Sequence, residues 1–202
     1  MRRALHIFLA ILSLLLLSPI ILLAAFLSLL STGQSPLYLQ ERIGKHAVPF
    51  TMYKIRTMKD EAVTKAGRLL RSTKLDELPQ LYNILIGDMN FVGPRPDLPG
   101  FADRLEGEDT IILDVRPGLT GPASIYFRNE EALLAKQQNP EQYNESVIWP
   151  KKVNINKKYV QERTLAKDFY YLLVTIYVIC NPRSGYLLHP LPEKKSSMSP
   201  KP

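Results

Sequence analysis

The sequence predicts an α+β, mostly helical protein in which an N-terminal membrane helix precedes a small domain with a short β-hairpin. Three observations support this fold class. Residues 4–30 are almost entirely apolar and contain no Asp, Glu, Lys or Arg. Two β-rich stretches lie within residues 37–55, one on each side of Gly44, and predict a hairpin. Apolar side chains then recur at spacings of three and four within residues 75–86, which is the period of an amphipathic helix.

The composition excludes several classes of protein. The chain has 202 residues, with 26 Lys and Arg against 19 Asp and Glu, for a net charge of +7 at pH 7. This charge is too dilute for a nucleic-acid-binding arm, but it suits an anionic membrane face or a phosphate-rich ligand. The single cysteine, Cys180, excludes an intramolecular disulfide and a Cys-rich zinc site, and it is compatible with a reducing cytoplasm. With only three histidines, the chain is a poor candidate for a His-based triad or zinc centre.

The apolar N-terminal segment allows three interpretations that differ in topology. A cleaved signal peptide has an apolar stretch of only about 7–15 residues, which is shorter than this one. A single helix over residues 4–30 would be about 40 Å long and could cross a bilayer core of about 30 Å. The third interpretation is a re-entrant helix with a helix-break-helix at Ser18-Pro19. A proline inside a helix removes a hydrogen bond, and the Ser18 hydroxyl could bind the freed carbonyl.

Basic residues on both sides of this segment bear on the choice. Arg2 and Arg3 precede the apolar run, and Arg42, Lys45 and Lys54 follow it. Basic residues mark the cytoplasmic side of a membrane segment. A spanning helix would place one of the two groups on the wrong side, whereas a re-entrant helix keeps both on one face. The residues alone therefore leave the spanning and the re-entrant helix as about equal alternatives.

The remaining chain predicts one domain and a polar tail. The predicted boundaries are residues 1–31 for the membrane helix, 32–190 for the domain and 191–202 for a disordered tail rich in Pro, Ser and Lys. Residues 87–122 are rich in Gly and Pro and predict loops, which often shape a functional site. The apolar residues 169–180 are too few to span a membrane and predict a core or interfacial helix. Further helices are predicted over residues 60–72, 75–86, 129–138 and 155–168.

The adjacent carboxylates Asp76 and Glu77 stand at the start of one helical pattern and have two interpretations. In the first, Asp76 caps the helix, with Glu77 and Pro79 in its first turn. In the second, the pair acts in catalysis. Adjacent helical side chains diverge by about 100°, so the two cannot flank one bond as glycosidase carboxylates do. One can instead attack a phosphorus atom while the other binds Mg²⁺, which prefers carboxylate and phosphate oxygens.

The catalytic interpretation requires cations, because groups of like charge must approach each other. Arg95 is a candidate, since Pro94 and Pro96 restrict the backbone around it and a fixed guanidinium suits bidentate phosphate contacts. The alternative is a rigid loop in which Arg95 binds a carbonyl or carboxylate of the fold itself. The other candidate cations, each more often a solvated surface charge when taken alone, are Lys54, Arg56, Arg71, Lys74 and Arg116.

Four blocks of the sequence together resemble the bacterial sugar transferases, the monotopic phosphoglycosyl transferases that initiate glycoconjugate assembly. The blocks are Tyr-Lys-Ile-Arg-Thr-Met at residues 53–58, Leu-Asp-Glu-Leu-Pro-Gln-Leu at 75–81, the stretch from Gly87 to Pro96, and Arg-Pro-Gly-Leu-Thr-Gly at 116–121. Their order and spacing make the resemblance specific. The resemblance extends from the N-terminal helix to about residue 185. Within the family, the chain resembles the small members that have one catalytic domain.

The resemblance implies a reaction and a role for each candidate residue. Such enzymes transfer a phospho-sugar from a UDP-sugar to polyprenyl (undecaprenyl) phosphate and release UMP, through a covalent intermediate in a ping-pong mechanism. By this resemblance Asp76 attacks the phosphate next to the sugar, and Glu77 helps to bind Mg²⁺. The residues implied in phosphate or nucleotide binding are Arg71, the loop Pro94-Arg95-Pro96, Lys54, Arg56 and Arg116.

The resemblance also implies a location and a set of partners. The family's re-entrant helix has a Ser-Pro break, which Ser18 and Pro19 match, so the resemblance favours the re-entrant helix. It implies a monotopic protein of the bacterial inner membrane, with its catalytic domain facing the cytoplasm. The implied partners are a UDP-sugar, polyprenyl phosphate and downstream glycosyltransferases of polysaccharide or glycoprotein glycan assembly, and no nucleic acid.

Two other functions stay open from the residues. A membrane-anchored basic scaffold without catalysis would tolerate Asp76→Asn, because Asn also caps helices. A membrane-tethered phosphohydrolase would release free sugar phosphate without any lipid acceptor.

Overall fold

The computed structural model describes residues 2–181 and is mostly helical. It begins with the apolar helix α1 (Arg2–Thr32). The later helices are α2 (Lys65–Ser72), α3 (Gln80–Ile86), α4 (Pro122–Tyr126), α5 (Glu130–Leu134), α6 (Pro140–Tyr143), α7 (Trp149–Gln161) and α8 (Leu165–Cys180), with a π-helical turn at Asn144–Ile148. The strands are β1 (Leu37–Ile43), β2 (Pro49–Ile55), β3 (Met58–Lys59), β4 (Ala62–Val63), β5 (Asn90–Val92) and β6 (Gly118–Thr120). The predicted α+β, mostly helical class is confirmed, and the predicted tail over residues 191–202 lies outside the described residues.

Helix α1 continues through its internal proline. The helix-break-helix expected at Ser18-Pro19 is therefore absent, because the backbone at these two residues is helical. Pro19 has no N–H and leaves the carbonyl of Leu15 without its helical donor. The Ser18 hydroxyl donates to that carbonyl at 2.9 Å, as predicted. One side-chain hydrogen bond therefore replaces the missing backbone bond, and the helix is maintained. Among the described residues, α1 is the one helix long and apolar enough to cross a membrane.

Both ends of α1 contact the rest of the protein. Near its start, the Arg3 guanidinium donates to the carbonyls of Ile84 and Leu85 at the end of α3, at 2.6 and 2.7 Å. Near its end, the Ser28 hydroxyl donates to the carbonyl of Arg56 at 2.6 Å. These bonds attach the two ends of one apolar helix to the same domain.

Burial along α1 follows the same division. Ala10 packs in the main core with Ile84 and Phe91, whereas Ala24 packs in a second cluster with Ile55. Within the described part of α1, residues 11–23 include no buried side chain. The apolar middle of the helix is therefore the part left facing outward, for contact with a bilayer or with another protein.

The predicted hairpin is confirmed. Strands β1 and β2 pair antiparallel, with Tyr38 opposite Lys54 and Arg42 opposite Phe50. Cross-strand partners share a face, so Tyr38, Arg42 and Lys54 line one face of this hairpin. That face contributes to the site described below.

Four predicted helices have wrong bounds. The helix expected over residues 129–138 is only the short α5 (Glu130–Leu134), and local backbone geometry explains the other three. Residues 58–63 form the two-stranded β3–β4 turn, and α2 begins only at Lys65, where the Thr64 hydroxyl accepts from the Gly67 N–H at 2.9 Å. The helix expected over residues 75–86 divides into a 3-10 turn and α3, because Pro79 cannot donate the bond that would join them. The helix expected over residues 155–168 ends at Gln161, and α8 starts after Thr164 as a new N-cap.

The loop region from residue 87 to 122 is organised by a short parallel pair that the sequence did not predict. Strand β5 pairs with β6 in the register Asn90 to Gly118. The backbones approach so closely that a Cβ on Gly118 would lie 2.1 Å from the nitrogen of Gly93. The Gly118 N–H donates to the Pro94 carbonyl at 2.8 Å. This approach fixes the start of the Pro94-Arg95-Pro96 loop.

Helix α8 contributes a buried end and an exposed apolar face. Asp168 in its first turn is buried and accepts from the Tyr159 hydroxyl at 2.5 Å. Farther along, large apolar side chains such as Phe169, Leu173 and Ile176 are exposed. An exposed apolar face of this kind agrees with the prediction of an interfacial helix better than with a core helix.

Candidate active site

The two adjacent carboxylates lie in a 3-10 turn, Leu75–Glu77, just before α3. Lys74 enters this turn with a left-handed backbone at φ 58°, which sets the turn at an angle to α2. Asp76 and Glu77 are both buried, with 8% and 9% of their surfaces exposed. Neither the turn nor α3 has a side-chain cap, so the capping interpretation of Asp76 is wrong. A buried acidic pair without a capping role needs another explanation.

Glu77 is held by Arg95. The Arg95 Nη1 and Nη2 atoms donate to Glu77 Oε2 and Oε1 at 3.0 and 2.8 Å, as a bidentate pair. Burial alone would raise the pKa of Glu77, but the Arg95 guanidinium outweighs it and lowers that pKa to about 2. Glu77 is therefore a carboxylate across the neutral range. Of the two interpretations of Arg95, this structure shows the one in which it binds a carboxylate of the fold.

Asp76 has the opposite environment. Its Oδ1 atom is buried and has no hydrogen-bond partner among residues 2–181. Burial, with a smaller contribution from Glu77, raises the pKa of Asp76 to about 6, against the opposing effect of Lys54, Lys74 and Arg71. A buried carboxylate oxygen without a donor is weakly solvated, which increases its nucleophilicity. Asp76 is thus the less stabilised and more reactive member of the pair.

Besides Arg95, three of the predicted cations lie with the carboxylates, and one of them, Lys74, has its Nζ atom 3.9 Å from Glu77 Oε1. Lys54, on β2, is close enough to Arg95 and Glu77 to interact electrostatically with both. Burial first, and Arg95 second, lower the pKa of Lys54 to about 8. Arg71, at the end of α2, donates through Nε to the Thr57 hydroxyl at 2.9 Å. The structure therefore brings Lys54, Arg71, Lys74 and Arg95 together around Asp76 and Glu77.

Two other predicted cations lie elsewhere. Arg56 donates through Nε to the Ser35 carbonyl at 2.9 Å and lies over the ring of Tyr38 at 5.5 Å. Arg116 donates through Nε to the Gly87 carbonyl at 2.5 Å, at the far end of α3 from the carboxylates. The structure shows both of them bound to backbone carbonyls, outside the group around Asp76.

Comparison of the sequence with known proteins identifies one family. The family model for bacterial sugar transferases matches residues 1–182. The chain belongs to the bacterial sugar transferase family. The resemblance seen in the sequence is thereby confirmed across all of the described residues.

Individual relatives carry more specific names. The chain is 34% identical over 171 residues to the uncharacterized sugar transferase EpsL of Bacillus subtilis (strain 168). The aligned region covers 79% of this chain and 77% of EpsL. It is 38% identical over 121 residues to a putative undecaprenyl-phosphate N-acetylgalactosaminyl 1-phosphate transferase of the same organism, covering 53% and 68%. It is 33% identical over 196 residues to the UDP-glucose:undecaprenyl-phosphate glucose-1-phosphate transferase of Escherichia coli (strain K12), covering 88% of this chain and 39% of that protein. The names of the second and third relatives agree on a sugar-1-phosphate transfer and differ in the sugar, whereas the name of EpsL says only that it is a sugar transferase.

The donor set of this sugar transferase fits Mg²⁺. Among residues 2–181, no group of three or more His, Cys, Asp or Glu side chains could hold a metal ion. The two adjacent carboxylates of the candidate site are Asp76 and Glu77, and one oxygen of Asp76 has no partner in the described chain. Mg²⁺ commonly takes one or two carboxylates and completes its shell with water and substrate phosphates. Two adjacent carboxylates with Lys54, Arg71 and Arg95 around them match that preference.

The sequence did not single out two residues of this sugar transferase that border the site. Arg42 on β1 interacts electrostatically with Arg95 and Asp97. Burial raises the pKa of Asp97 to about 6, although Lys152 and Arg42 oppose the rise. Neither residue belongs to a block that carries the family resemblance. Residues two apart on a strand share a face, so the spacing of Gln40 and Arg42 was the signal that could have placed Arg42 on the same hairpin face as Lys54.

Proposed function

We propose that this sugar transferase moves a sugar-1-phosphate from a UDP-sugar to polyprenyl phosphate and releases UMP. The observation that carries the proposal is the contrast within the carboxylate pair. Glu77 is bound on both oxygens by Arg95, whereas Asp76 is buried with an unpartnered oxygen. The names of the relatives from B. subtilis and E. coli support the same reaction class.

In the first step, an Asp76 oxygen attacks the phosphorus that carries the sugar. A P–O bond forms to Asp76, and the bond from that phosphorus to the bridging oxygen of UDP breaks. The bridging oxygen leaves with the electron pair as part of UMP. Asp76 then carries the sugar phosphate as an acyl phosphate, which is known carboxylate chemistry.

In the second step, a phosphate oxygen of polyprenyl phosphate attacks the same phosphorus. The bond to Asp76 breaks, and its carboxylate is restored. The product is a polyprenyl diphosphate sugar. In a ping-pong mechanism the two substrates bind in turn. The same cations can therefore bind first the diphosphate of the UDP-sugar and then the phosphate of the lipid.

The surrounding charges fit these steps. Lys54 and Arg71 lie beside Asp76 and can neutralise the phosphates that approach it. Arg95 orients Glu77, which is placed to bind Mg²⁺ together with the donor phosphates. Such an ion would offset the negative charge on the diphosphate.

The contacts at both ends of α1 support the re-entrant placement in the inner membrane, in which the continuous helix would bend at Pro19. Both ends of α1 bind the domain that holds Asp76, and its outward-facing middle is apolar. A helix that enters and leaves by the same face would keep that domain on the cytoplasmic side, where UDP-sugars and downstream glycosyltransferases are found. In a Cys180→Ser background, single cysteines at positions 2 and 34 should both resist an impermeant maleimide applied to intact cells. Labelling of either position from outside would contradict the placement.

The reaction is tested by UMP release from purified protein with Mg²⁺, undecaprenyl phosphate and a panel of UDP-sugars, alongside Asp76→Asn. The proposal expects UMP from at least one sugar, dependent on both the lipid and Asp76. Release of free sugar phosphate without lipid would identify a phosphohydrolase instead. No release from any sugar by folded protein, with normal function of Asp76→Asn in cells, would support a scaffold.

A further inference from the structure

The side chain of Arg42 joins the β-hairpin to the loop that carries Arg95. Its guanidinium donates to Gln40 Oε1 through Nε at 3.2 Å and through Nη2 at 2.7 Å. Its remaining terminal nitrogen, Nη1, donates to the backbone carbonyl of Pro96 at 3.3 Å. Because Gln40 binds two N–H groups of a planar group, it fixes the direction in which Nη1 points.

The loop is attached on both sides of Arg95. Before it, the Pro94 carbonyl accepts from the Gly118 N–H at 2.8 Å. After it, the Pro96 carbonyl accepts from Arg42, and the Asp97 carbonyl accepts from the Ile43 N–H at 2.9 Å. With the backbone held at both ends, the side chain of Arg95 has a fixed origin for its two bonds to Glu77.

Arg42 occupies this position at an electrostatic cost. Burial first, and the Arg95 charge second, lower the pKa of Arg42. An uncharged donor could reach the Pro96 carbonyl without that repulsion. What only a guanidinium provides is a rigid fork that binds Gln40 and Pro96 at the same time.

We propose that Gln40 and Arg42 are positioning residues: Gln40 orients Arg42, and Arg42 seats the loop from which Arg95 binds Glu77. Neither residue contacts the reacting atoms. The proposal rests on the proposed function, because the placement of Glu77 affects turnover only if the carboxylate pair is catalytic. It predicts that changes to a half-buried strand residue alter the geometry of a carboxylate that it does not touch.

Gln40→Leu tests this directly, because it removes the acceptor for Arg42 and leaves Arg42 in place. We expect kcat for UMP release to fall about 10-fold, with KM for the UDP-sugar unchanged, since misplacement of a catalytic group lowers turnover rather than substrate binding. Gln40→Glu retains an acceptor and should keep kcat close to that of the parent protein. Glu41→Gln, on an exposed neighbouring residue of the same strand, is the matched control.

Arg42→Lys provides a second variant, because it keeps the charge and loses the fork. It should lower kcat to the same extent as Gln40→Leu, and the double variant should lose no more than either alone. Additive losses, or a raised KM with unchanged kcat, would overturn the proposal. The second result would place Arg42 on the substrate itself.

Hydrogen–deuterium exchange gives a readout that does not depend on activity. The amides of Ile43 and Gly118 donate to the loop on either side of Arg95, so they report whether it is seated. In Gln40→Leu they should exchange faster, while the amides of α3 stay protected. Unchanged exchange would overturn the proposal, and so would faster exchange throughout the chain, which indicates general destabilisation. If the parent protein itself releases no UMP, the proposed function fails. The exchange rates of the Ile43 and Gly118 amides still show whether Gln40 and Arg42 hold the loop that carries Arg95.

Discussion

Asp76 and Glu77 are neighbours in sequence and are equally buried, yet their surroundings push their pKa values in opposite directions. Arg95 holds Glu77 ionised with two hydrogen bonds. Asp76 Oδ1 has no such partner in the described chain. A division of this kind assigns separate roles to paired carboxylates, one that is held in place and one that is available to react.

Substitution of each carboxylate by its amide should separate the two roles. Asp76→Asn should lower turnover by more than about 1,000-fold, because an amide cannot form the acyl phosphate. It should not lower the free energy of unfolding, since it removes a buried charge with no partner. Glu77→Gln should lower both turnover and the free energy of unfolding, the latter by about 1–3 kcal/mol, because it leaves Arg95 without its carboxylate.

UMP release and thermal unfolding in the same detergent measure both effects. Wild-type turnover in Asp76→Asn would remove Asp76 from the mechanism. A stability loss in Asp76→Asn as large as that in Glu77→Gln would show that Asp76 has a structural partner after all.

Asp97 makes the protein's stability depend on pH. Its pKa is raised from 3.8 in the ordinary carboxyl group to about 6, mainly by burial. The folded protein therefore holds this proton more tightly than the unfolded chain does, so stability falls as the pH rises from about 4 to about 6. The loss is about 3 kcal/mol at most, from about 1.4 kcal/mol for each pKa unit.

Asp97→Asn removes this loss. The variant should be more stable than the parent protein at pH 7.5, and the difference should vanish near pH 4. Unfolding in denaturant at both pH values measures the change. A parent protein that is the more stable of the two at pH 7.5 would show that Lys152 and Arg42 stabilise the Asp97 carboxylate more than burial destabilises it.

The candidate site could be predicted in part at this scale. The block at residues 75–81 identified the carboxylates, and the proline bracket identified Arg95. The partner of Arg95 could not be read from the sequence, because the contact joins residues 18 positions apart through a loop seated by a long-range strand pair. Arg42 and Asp97 carry no motif, and their importance comes only from the burial that the fold creates.

At the scale of single elements, α1 shows how one hydrogen bond can preserve a helix. The Leu15 carbonyl loses its donor at Pro19 and gains the Ser18 hydroxyl. Ser18→Ala alone should therefore lower the free energy of unfolding by about 1 kcal/mol. In a Pro19→Ala background the same change should cost much less, since residue 19 then supplies its own N–H to that carbonyl.

Thermal unfolding in nanodiscs of the parent protein, Ser18→Ala, Pro19→Ala and the double variant measures this double-mutant cycle. Equal effects of Ser18→Ala in both backgrounds would show that the hydroxyl does not compensate for the proline. A cycle that closes as expected would explain why the Ser-Pro pair occurs together within an unbroken helix.

Elements were predictable where a pattern of side chains decides them and unpredictable where one backbone angle does. The two β-rich stretches on either side of Gly44 sufficed for the β1–β2 hairpin. The start of α3 depends instead on Pro79, and α2 lies between residues with left-handed backbone, Asp60 and Glu61 at φ 47° and 64° and Lys74 at φ 58°. Such angles in non-glycine residues are uncommon, and spacing rules do not anticipate them.

At the scale of the whole molecule, the apolar helix α1 and the candidate site form one unit. The second core cluster packs Ala24 of α1 against Ile55 and Leu70, which support β2 and α2. Those two elements carry Lys54 and Arg71. Packing of this kind makes the positions of Lys54 and Arg71 depend on α1, and it places the candidate site beside the apolar helix.

The central claim is that Asp76 becomes covalently bonded to the sugar phosphate. Its most direct test is mass spectrometry of the protein after incubation with Mg²⁺ and an active UDP-sugar, without polyprenyl phosphate. We expect one equivalent of UMP and a sugar-phosphate adduct on the peptide that contains Asp76, absent in Asp76→Asn and discharged when the lipid is added. UMP release that strictly requires the lipid, with no adduct at any time, would show direct transfer between the two substrates and contradict the account.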